Sequence, residues 1–292
     1  MFKTKPLAAA TCGIFTLACL TANAQILSSE SFFGYTVPAL LPAAGNPTVP
    51  GYTGGWTAVD FGTQQAGTLA GSLIYGGVGY AAGTGDHIGV PANTTGGQIT
   101  SANSGRVYRL LDSTTTVTSS TVGTLYLSFL FQSGQESGAT IFQMLDLYNG
   151  NTADANRAFT AGLTQNGGNT GSIYDFGVNE AYSNLGVAAD TGVHLFVVGF
   201  NLSAAAASDV VTVWLDPTLG AGAPVGGVTV SGQNIAFDRL SLSDYSGNSA
   251  NWDEIRFGTT FDSVTTVPEP SSFVLAGLGG LALLFRRRQG RS

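Results

Sequence analysis

The composition of this 292-residue chain favours strands and tight turns over helices. Hydrophobic residues make up 43% of it and charged residues only 10%, against roughly 25% charged residues in an average soluble domain. The 41 glycines and the many Ser, Thr, Asn and aromatic residues are typical of β-proteins. Between Gln25 and Val267 lie five arginines and 17 acidic residues, a formal charge of −12, which argues against nucleic acid or anionic lipid as a partner.

The N-terminus has the pattern of a secretory signal. Two lysines lie in the first five residues, and the apolar run Leu7–Leu20 follows them. Ala22 and Ala24 then supply small residues at −3 and −1, so signal peptidase is expected to cleave before Gln25. Residues 1–24 are therefore predicted to be a signal helix that directs the chain to the secretion machinery.

Both cysteines, Cys12 and Cys19, lie inside the signal segment. Cleavage before Gln25 leaves a mature chain without a disulfide, a thiolate metal site or a cysteine nucleophile. A lipoprotein with an acylated Cys19 is the alternative. It is disfavoured because Thr16 stands where a large aliphatic residue is usual.

Residues 25–266 are predicted to form one β-domain. Short apolar or alternating runs recur between Gly- and Asn-rich turns, and no stretch shows a sustained helical period. Many short strands with glycine-rich turns indicate an all-β fold, an antiparallel sandwich or a barrel. The predicted strands are Val107–Leu111, Leu125–Phe131, Ile141–Tyr148, Ala158–Leu163, Ile173–Val178, His194–Leu202, Val210–Asp216, Ile235–Leu242 and Trp252–Phe257.

Two of these strands carry the candidate ligand-binding residues. The strand from 210 to 216 alternates, with Trp214 on its less apolar face. In the last strand a period of two places Trp252, Glu254 and Arg256 together, opposite Asp253. Glu254 and Arg256 are then neighbours that can pair. If the face is concave, the two tryptophans form a platform for sugar rings with Glu254 and Arg256. The alternative is that both tryptophans only pack the sheets.

The domain lacks the residue patterns of the common hydrolases. A retaining glucanase needs two close carboxylates, yet no Glu-x-Asp-x-(x)-Glu triplet occurs. The histidines, His87 and His194, are predicted to be structural, and no Gly-x-Ser-x-Gly or His-Glu-x-x-His motif is present. We therefore expect no catalytic residues and no enzyme activity.

No metal site or cofactor is predicted. The runs Asp146–Asp154 and Asp244–Asp253 offer oxygen ligands, so calcium is an alternative to turn formation there. Neither run has the glycine and acidic positions of an EF-hand.

The tail, residues 267–292, has three parts in a fixed order. It reads Val267, Pro268, Glu269, Pro270, then an apolar run that ends at Phe285, then Arg286, Arg287, Arg288. The 15 residues Ser271–Phe285 span roughly 22 Å as a helix, against about 30 Å of hydrocarbon. A transmembrane helix of this length is short for a permanent anchor. The arginines are expected to stop transfer and keep the tail end cytoplasmic.

This tail resembles the PEP-CTERM sorting signal of Gram-negative bacteria, with Pro268, Glu269 and Pro270 as the recognition element. The resemblance implies recognition by an exosortase-type processing enzyme. It also implies an inner-membrane-anchored intermediate with a periplasmic domain, then release to the cell surface or extracellular matrix. Such proteins often accompany exopolysaccharide.

The domain resembles concanavalin A-like, laminin-G-like jelly rolls. The motifs that carry the likeness are Glu30-Ser31-Phe32, Gly54-Gly55-Trp56, Val213-Trp214-Leu215-Asp216-Pro217 and Trp252-Asp253-Glu254-Ile255-Arg256-Phe257-Gly258. The resemblance implies two stacked antiparallel sheets and a polysaccharide as ligand. The leading hypothesis is a non-catalytic surface or matrix protein. The alternatives are an atypical carbohydrate-active enzyme of the same fold and a protein-binding adhesion module.

Overall fold

The computed structural model describes residues 24–37, 39–41, 47–59, 66–76, 86–90, 105–134, 142–164, 171–219, 222–245 and 250–265. The predicted signal segment up to residue 23 and the tail from residue 267 lie outside these ranges. Within them, no helix is long and apolar enough to span a membrane. The signal helix and the C-terminal membrane helix remain predictions.

Strands make up nearly all the regular structure of the described ranges. One short α-helix, α1 (Phe261–Thr265), and a 3-10 turn, Asp154–Asn156, accompany them. The strands are β1 Ile26–Glu30, β2 Ala39–Leu40, β3 Tyr52–Val59, β4 Gly67–Leu69, β5 His87–Val90, β6 Gly105–Leu111, β7 Gly123–Gln132, β8 Gln143–Tyr148, β9 Arg157–Leu163, β10 Ile173–Val178, β11 Ala181–Ala188, β12 Val193–Leu202, β13 Asp209–Leu215, β14 Val228–Gln233, β15 Arg239–Asp244 and β16 Ala250–Gly258.

The strands form two antiparallel sheets. Sheet A has the order β14-β13-β12-β7-β16-β5-β4-β2, with β1 also paired to β16. Sheet B has the order β11-β10-β9-β8-β15-β6-β3. The predicted all-β antiparallel sandwich is therefore confirmed.

All nine predicted strands occur, and one of them is displaced along the chain. The run predicted from Ile235 begins its strand only at Arg239, because the backbone before it is paired elsewhere: the Ile235 N–H donates to the Asp209 side chain. Phe237 there forms an isolated bridge with Val117. The sequence reasoning missed β1–β5, β11 and β14, which are short, glycine-containing or exposed strands.

Apolar side chains on alternate positions fill the space between the sheets. Phe129 and Phe196 stack at 4.9 Å on neighbouring strands of sheet A. Phe159 of sheet B meets Phe200 of sheet A edge-on at 5.4 Å. These contacts join the two sheets into one hydrophobic core.

A buried ion pair closes one margin of this core. Glu30 at the end of β1 and Arg109 of β6 are each 1% exposed and in contact at 2.5 Å. Tyr35 donates to Glu30 at 2.9 Å, and the Trp56 ring nitrogen donates to Tyr35 at 3.1 Å. The motifs at Glu30 and Trp56 are therefore parts of one buried cluster.

A second apolar cluster lies on the outer face of sheet A. Phe261 and Val264 of α1 pack there against Leu130, Leu195 and other buried side chains. Because α1 covers this face, both faces of sheet A are buried around β7 and β12.

Candidate functional site

One end of the sandwich carries a cleft of about 670 Å³, called the loop-end cleft below. Its size lies within the range of ligand pockets. Four connections build it: β6–β7, β8–β9, the β10–β11 turn and β14–β15. Its lining consists of Thr116, Val117, Thr118, Ser119, Asn149, Ala155, Asn156, Arg157, Ala158, Asn179, Asn234, Ala236 and Asp238.

A two-residue turn fixes one wall of the cleft. Asn179 and Glu180 both have positive φ, 46° and 66°, as a type I′ hairpin turn requires. The Asn179 amide donates to the Gln233 side chain at 3.1 Å and to the Asn234 carbonyl at 3.3 Å. These hydrogen bonds connect the β10–β11 turn of sheet B to the end of β14 and the β14–β15 connection.

The β8–β9 loop is held by asparagine hydrogen bonds within itself. The Asn151 side-chain oxygen accepts from the Ala153 N–H at 2.9 Å and from the Asn156 amide at 2.6 Å. The Asn149 N–H donates to the Asn156 carbonyl at 3.0 Å. These bonds leave the Asn149 side chain exposed at the cleft.

Three exposed polar side chains of the lining have no hydrogen bond to any residue that the structure describes: Ser119, Asn149 and Asn234. A primary amide offers two donors and an acceptor, and a hydroxyl offers one donor and two acceptor lone pairs. These groups are therefore available to a hydroxyl-rich ligand.

The single arginine of the lining is already neutralised. Arg157 contacts Asp154 at 2.6 Å, Asp146 at 3.2 Å and Glu180 at 3.4 Å. Its Nε also donates to the Tyr148 hydroxyl at 3.2 Å. Arg157 therefore has three carboxylate partners before any ligand arrives.

The single carboxylate of the lining is neutralised as well. Asp238 accepts from Arg239 at 2.7 Å and 3.1 Å and from the Gly150 N–H at 3.1 Å. Burial opposes ionisation of Asp238, but these bonds outweigh it and lower its pKa. Both charged residues of the described lining are thus paired.

The predicted tryptophan platform is not assembled. Trp252 is 0% exposed and lies in the core, 5.5 Å from Phe131. Trp214 lies on the other face of sheet A, edge-on to Phe261 at 5.7 Å, and its ring nitrogen donates to the Pro224 carbonyl at 2.9 Å. The placement of Trp252 on the polar face was wrong.

A β-bulge is the reason for this error. The pairing of β16 with β7 shifts register between Asp253 and Arg256, and Glu254 has a φ of 50°. The extra residue returns Ile255 to the core, so Trp252 and Ile255 lie on the same side of the sheet. A strict period of two does not hold across the bulge.

The predicted pair of Glu254 and Arg256 is present but buried. Their side chains are in contact at 2.6 Å, with 3% and 5% exposure. Asp253 beside them accepts from the Leu73 N–H at 2.9 Å and from the Glu254 N–H at 2.7 Å. Burial, followed by the charge of Glu254, raises the pKa of Asp253 to about 8.

The two candidate calcium runs place their described acidic residues in other roles. Asp146 and Asp244 are fully buried, Asp146 is paired with Arg157, and Asp244 accepts from Gln143 at 3.1 Å. Over the described ranges, no group of three or more His, Cys, Asp or Glu side chains is arranged to hold a metal ion.

Both histidines contact nearby groups. His194 lies between two carboxylates, with Asp216 at 2.6 Å from Nδ1 and Asp190 at 2.9 Å from Nε2. Burial opposes its protonation, but the two acidic partners outweigh that effect and raise its pKa. His87 contacts the Gly71 carbonyl.

The comparisons define the tail more closely than the domain. Residues 266–288 match the PEP-CTERM protein-sorting motif. This match confirms the resemblance of the tail and indicates an exported protein sorted by an exosortase-type system. No curated protein matches the chain.

Among solved structures, the chain is similar to several β-sandwich proteins. One is botulinum neurotoxin type C, from a study of its interaction with two ganglioside molecules, at 10% identity and a TM-score of 0.44 over 82% of this chain and 49% of that one. Another is a carbohydrate esterase of the Shiga toxin-encoding bacteriophage phi24B, at 12% identity and a TM-score of 0.45 over 81% and 99%. A third is an endo-1,3-β-glucanase of Streptomyces sioyaensis, at 11% identity and a TM-score of 0.42 over 86% and 99%. The match spans about half the length of the neurotoxin chains.

Proposed function

We propose that this is a non-catalytic surface or matrix protein that binds a neutral polysaccharide in its loop-end cleft. The observation that carries the proposal is the set Ser119, Asn149 and Asn234, exposed groups that line one cleft without a described partner. Two amides and a hydroxyl complement the alternating donors and acceptors of sugar hydroxyls.

Charge selects the class of polysaccharide. The stretch from Gln25 to Val267 has a formal charge of −12, and Asp154 and Glu180 beside the cleft are 72% and 50% exposed. Arg157 is paired with both of them. An acidic polymer therefore meets repulsion at long range and no uncommitted cation among the described lining residues.

The face of β8 that points away from the core supports a non-catalytic role. Leu145 and Leu147 lie in the core, so Met144, Asp146 and Tyr148 alternate on the opposite face. Asp146 is the one carboxylate among these three, and Arg157 pairs with it and also with Asp154 and Glu180. A retaining glycosidase needs one carboxylate free to attack and a second, about 5–5.5 Å away, to carry the proton, whereas here one cation pairs with all three carboxylates.

The route of export is part of the proposal. Signal peptidase cleaves after Ala24, the apolar tail holds the domain on the periplasmic side, and Arg286–Arg288 keep the tail end cytoplasmic. Cleavage near Pro268–Pro270 then releases the domain to the cell surface or matrix of a Gram-negative cell, beside exopolysaccharide.

A glycan array probed with residues 25–266, with and without calcium, tests this function. We expect binding to neutral glycans that does not need calcium. Asn149→Ala with Asn234→Ala removes two hydrogen-bonding groups at about 1 kcal/mol each, so affinity should fall roughly 30-fold. The matched control is Asn201→Ala, an exposed asparagine outside the cleft. Equal affinity of the double variant and the control contradicts the cleft assignment.

A charge change tests the selectivity separately. Glu180→Lys should create binding to uronate-rich polymers, because it places a cation beside the cleft. Thr191→Lys with Val225→Lys adds the same net charge at the opposite end of the sandwich and should not. If both variants gain the same binding, overall charge alone sets the selectivity and the cleft has no part in it.

One observation favours the adhesion alternative. An apolar groove of about 210 Å³ lies beside β11 and β13 and is lined by Val187, Trp214 and Val225, among others. The Val225 side chain is 100% exposed, and exposed apolar grooves often contact proteins. If the protein binds no glycan on the array, the binding site is assigned to this groove and the ligand to a protein partner.

A further inference from the structure

The last residues that the structure describes form helix α1, which is docked against sheet A. Phe261 of α1 is 2% exposed and packs edge-on against Tyr126 at 6.3 Å and Trp214 at 5.7 Å. Val264 is fully buried in the same cluster with Leu195. The outward face of sheet A is thus the docking surface, or seat, of the five residues of α1.

Polar contacts fix both ends of α1. Thr260 and Ser263 cap each other's backbone N–H groups at 3.1 Å. Ser128 of β7 donates to the Val264 carbonyl at 2.7 Å, and Asp262 accepts from the Gly222 N–H at 3.2 Å. These bonds connect α1 to two other parts of the chain.

The last residue of α1 is as buried as the first. Thr265 is 1% exposed, and its hydroxyl donates to the Phe261 carbonyl at 2.9 Å. The sorting motif begins at the next residue, 266. Only Thr266 and Val267 separate the buried Thr265 from Pro268, and these two residues and the bond to Pro268 reach at most about 10 Å when fully extended.

Extended peptides are commonly recognised through backbone hydrogen bonds made along several consecutive residues, and we expect the processing enzyme to bind its substrate in this way. A strand that includes several residues before Pro268 takes in Thr265, which is helical and buried in this fold. Cleavage of a folded protein at such a place requires local opening, and its rate follows the population of the open form when opening is fast.

We propose that docking of α1 on sheet A gates the sorting cleavage, so that the Pro268–Pro270 element is processed only from a form in which α1 has left its seat. While α1 is docked, the chain stays in the membrane-bound intermediate. This gate is separate from the loop-end cleft and from any glycan.

The experiment follows processing of the full chain by pulse-chase in a cell that cleaves the wild-type protein. One variant carries an eight-residue Gly-Ser spacer between Thr265 and Thr266, which frees the motif while α1 remains docked. The other is Phe261→Ala, which weakens docking. The matched controls are the same spacer between Ala205 and Ala206, in an exposed loop without a contact to α1 among the described residues, and Val122→Ala, at an exposed valine.

Both test variants should be processed at least fivefold faster than wild type, and both controls at the wild-type rate. Phe261→Ala should add no further acceleration to the spacer variant, because the spacer already bypasses the gate. The spacer does not touch the fold, so misfolding of Phe261→Ala leaves the test intact. Processing of the spacer variant at or below the wild-type rate overturns the proposal.

Discussion

Replacement of Arg109 by Met tests the buried ion pair that closes the core. Arg109 donates to Glu30, to the Tyr35 hydroxyl at 3.1 Å, to the Gly54 carbonyl at 2.9 Å and to the Pro47 carbonyl at 2.7 Å. Because Glu30 is 1% exposed, the variant leaves an unpaired carboxylate in the protein interior. Removing one partner of a buried pair costs about 3–5 kcal/mol, a large part of the stability of a typical domain.

The assay is urea unfolding of residues 25–266 in a double-mutant cycle with Glu30→Gln. The double variant should lose less free energy of unfolding than the sum of the losses of the two single variants, because no unpaired charge is left when both partners are changed. Strictly additive losses, or a loss below about 1 kcal/mol for Arg109→Met, refute the reasoning.

The pH dependence of this variant gives a second readout. Burial raises the pKa of Glu30 above its ordinary 4.5, and the charge of Arg109 opposes that rise. Without Arg109 the pKa of Glu30 in the folded state rises further. Protonation of Glu30 then stabilises the folded state at low pH, and this stabilisation is lost as the pH rises through the folded-state pKa of Glu30. Arg109→Met should therefore be closer to wild type at pH 5 than at pH 8.

Three other substitutions report on the ion pairs of His194, the seat of α1 and the core. His194→Gln should remove stability that the wild type has below pH 6.5 and loses as the pH rises through the raised pKa of His194. The difference in thermal stability between the two proteins should therefore be smaller at pH 9 than at pH 5.5, and a constant difference argues against the ion pairs of His194 with Asp190 and Asp216. Gly258→Ala should lower the free energy of unfolding by about 1–3 kcal/mol, since a Cβ would lie 2.3 Å from the Ser263 hydroxyl of α1. Unchanged stability in chemical denaturation would mean that α1 shifts freely. Trp252→Phe should leave glycan binding unchanged, because its ring is buried; weaker binding on the array contradicts the cleft assignment.

The strands that the sequence predicted well are those with long apolar or alternating runs. β7 and β12 lie side by side near the middle of sheet A and bury most of their residues, so burial leaves a strong pattern in their sequence. β11 and β14 are edge strands whose positions are all exposed or half-buried. Such strands carry little apolar signal, and the pattern therefore missed them.

The faces of the last strand could not be read from its period. The bulge at Glu254 places Trp252 and Ile255 in the core, while Asp253 bonds to Leu73, far away in the chain. Nothing local in the sequence marks the extra residue, since a non-glycine residue with positive φ has no reliable signature.

The loop-end cleft was also beyond local reasoning. Asn179 and Asn234 belong to no motif in the sequence, and Asn149 lies in a run for which turn formation and calcium binding were the two alternatives. Their assembly depends on the sheet order, which places the β8–β9 loop, the β10–β11 turn and the β14–β15 connection at one end. The pairing of Arg157 and Asp238, which leaves the cleft without a free charge in its described lining, depends on the same order.

Hydrogen–deuterium exchange of residues 25–266 with a neutral polysaccharide tests the central claim most directly. The proposal predicts slower exchange at residues 116–119, 149–156, 179–180 and 234–238, the connections around the loop-end cleft. A uronate-rich polymer at the same concentration should leave these segments unchanged. Protection confined to the groove beside β11 and β13, or no protection by any neutral polysaccharide, contradicts the account.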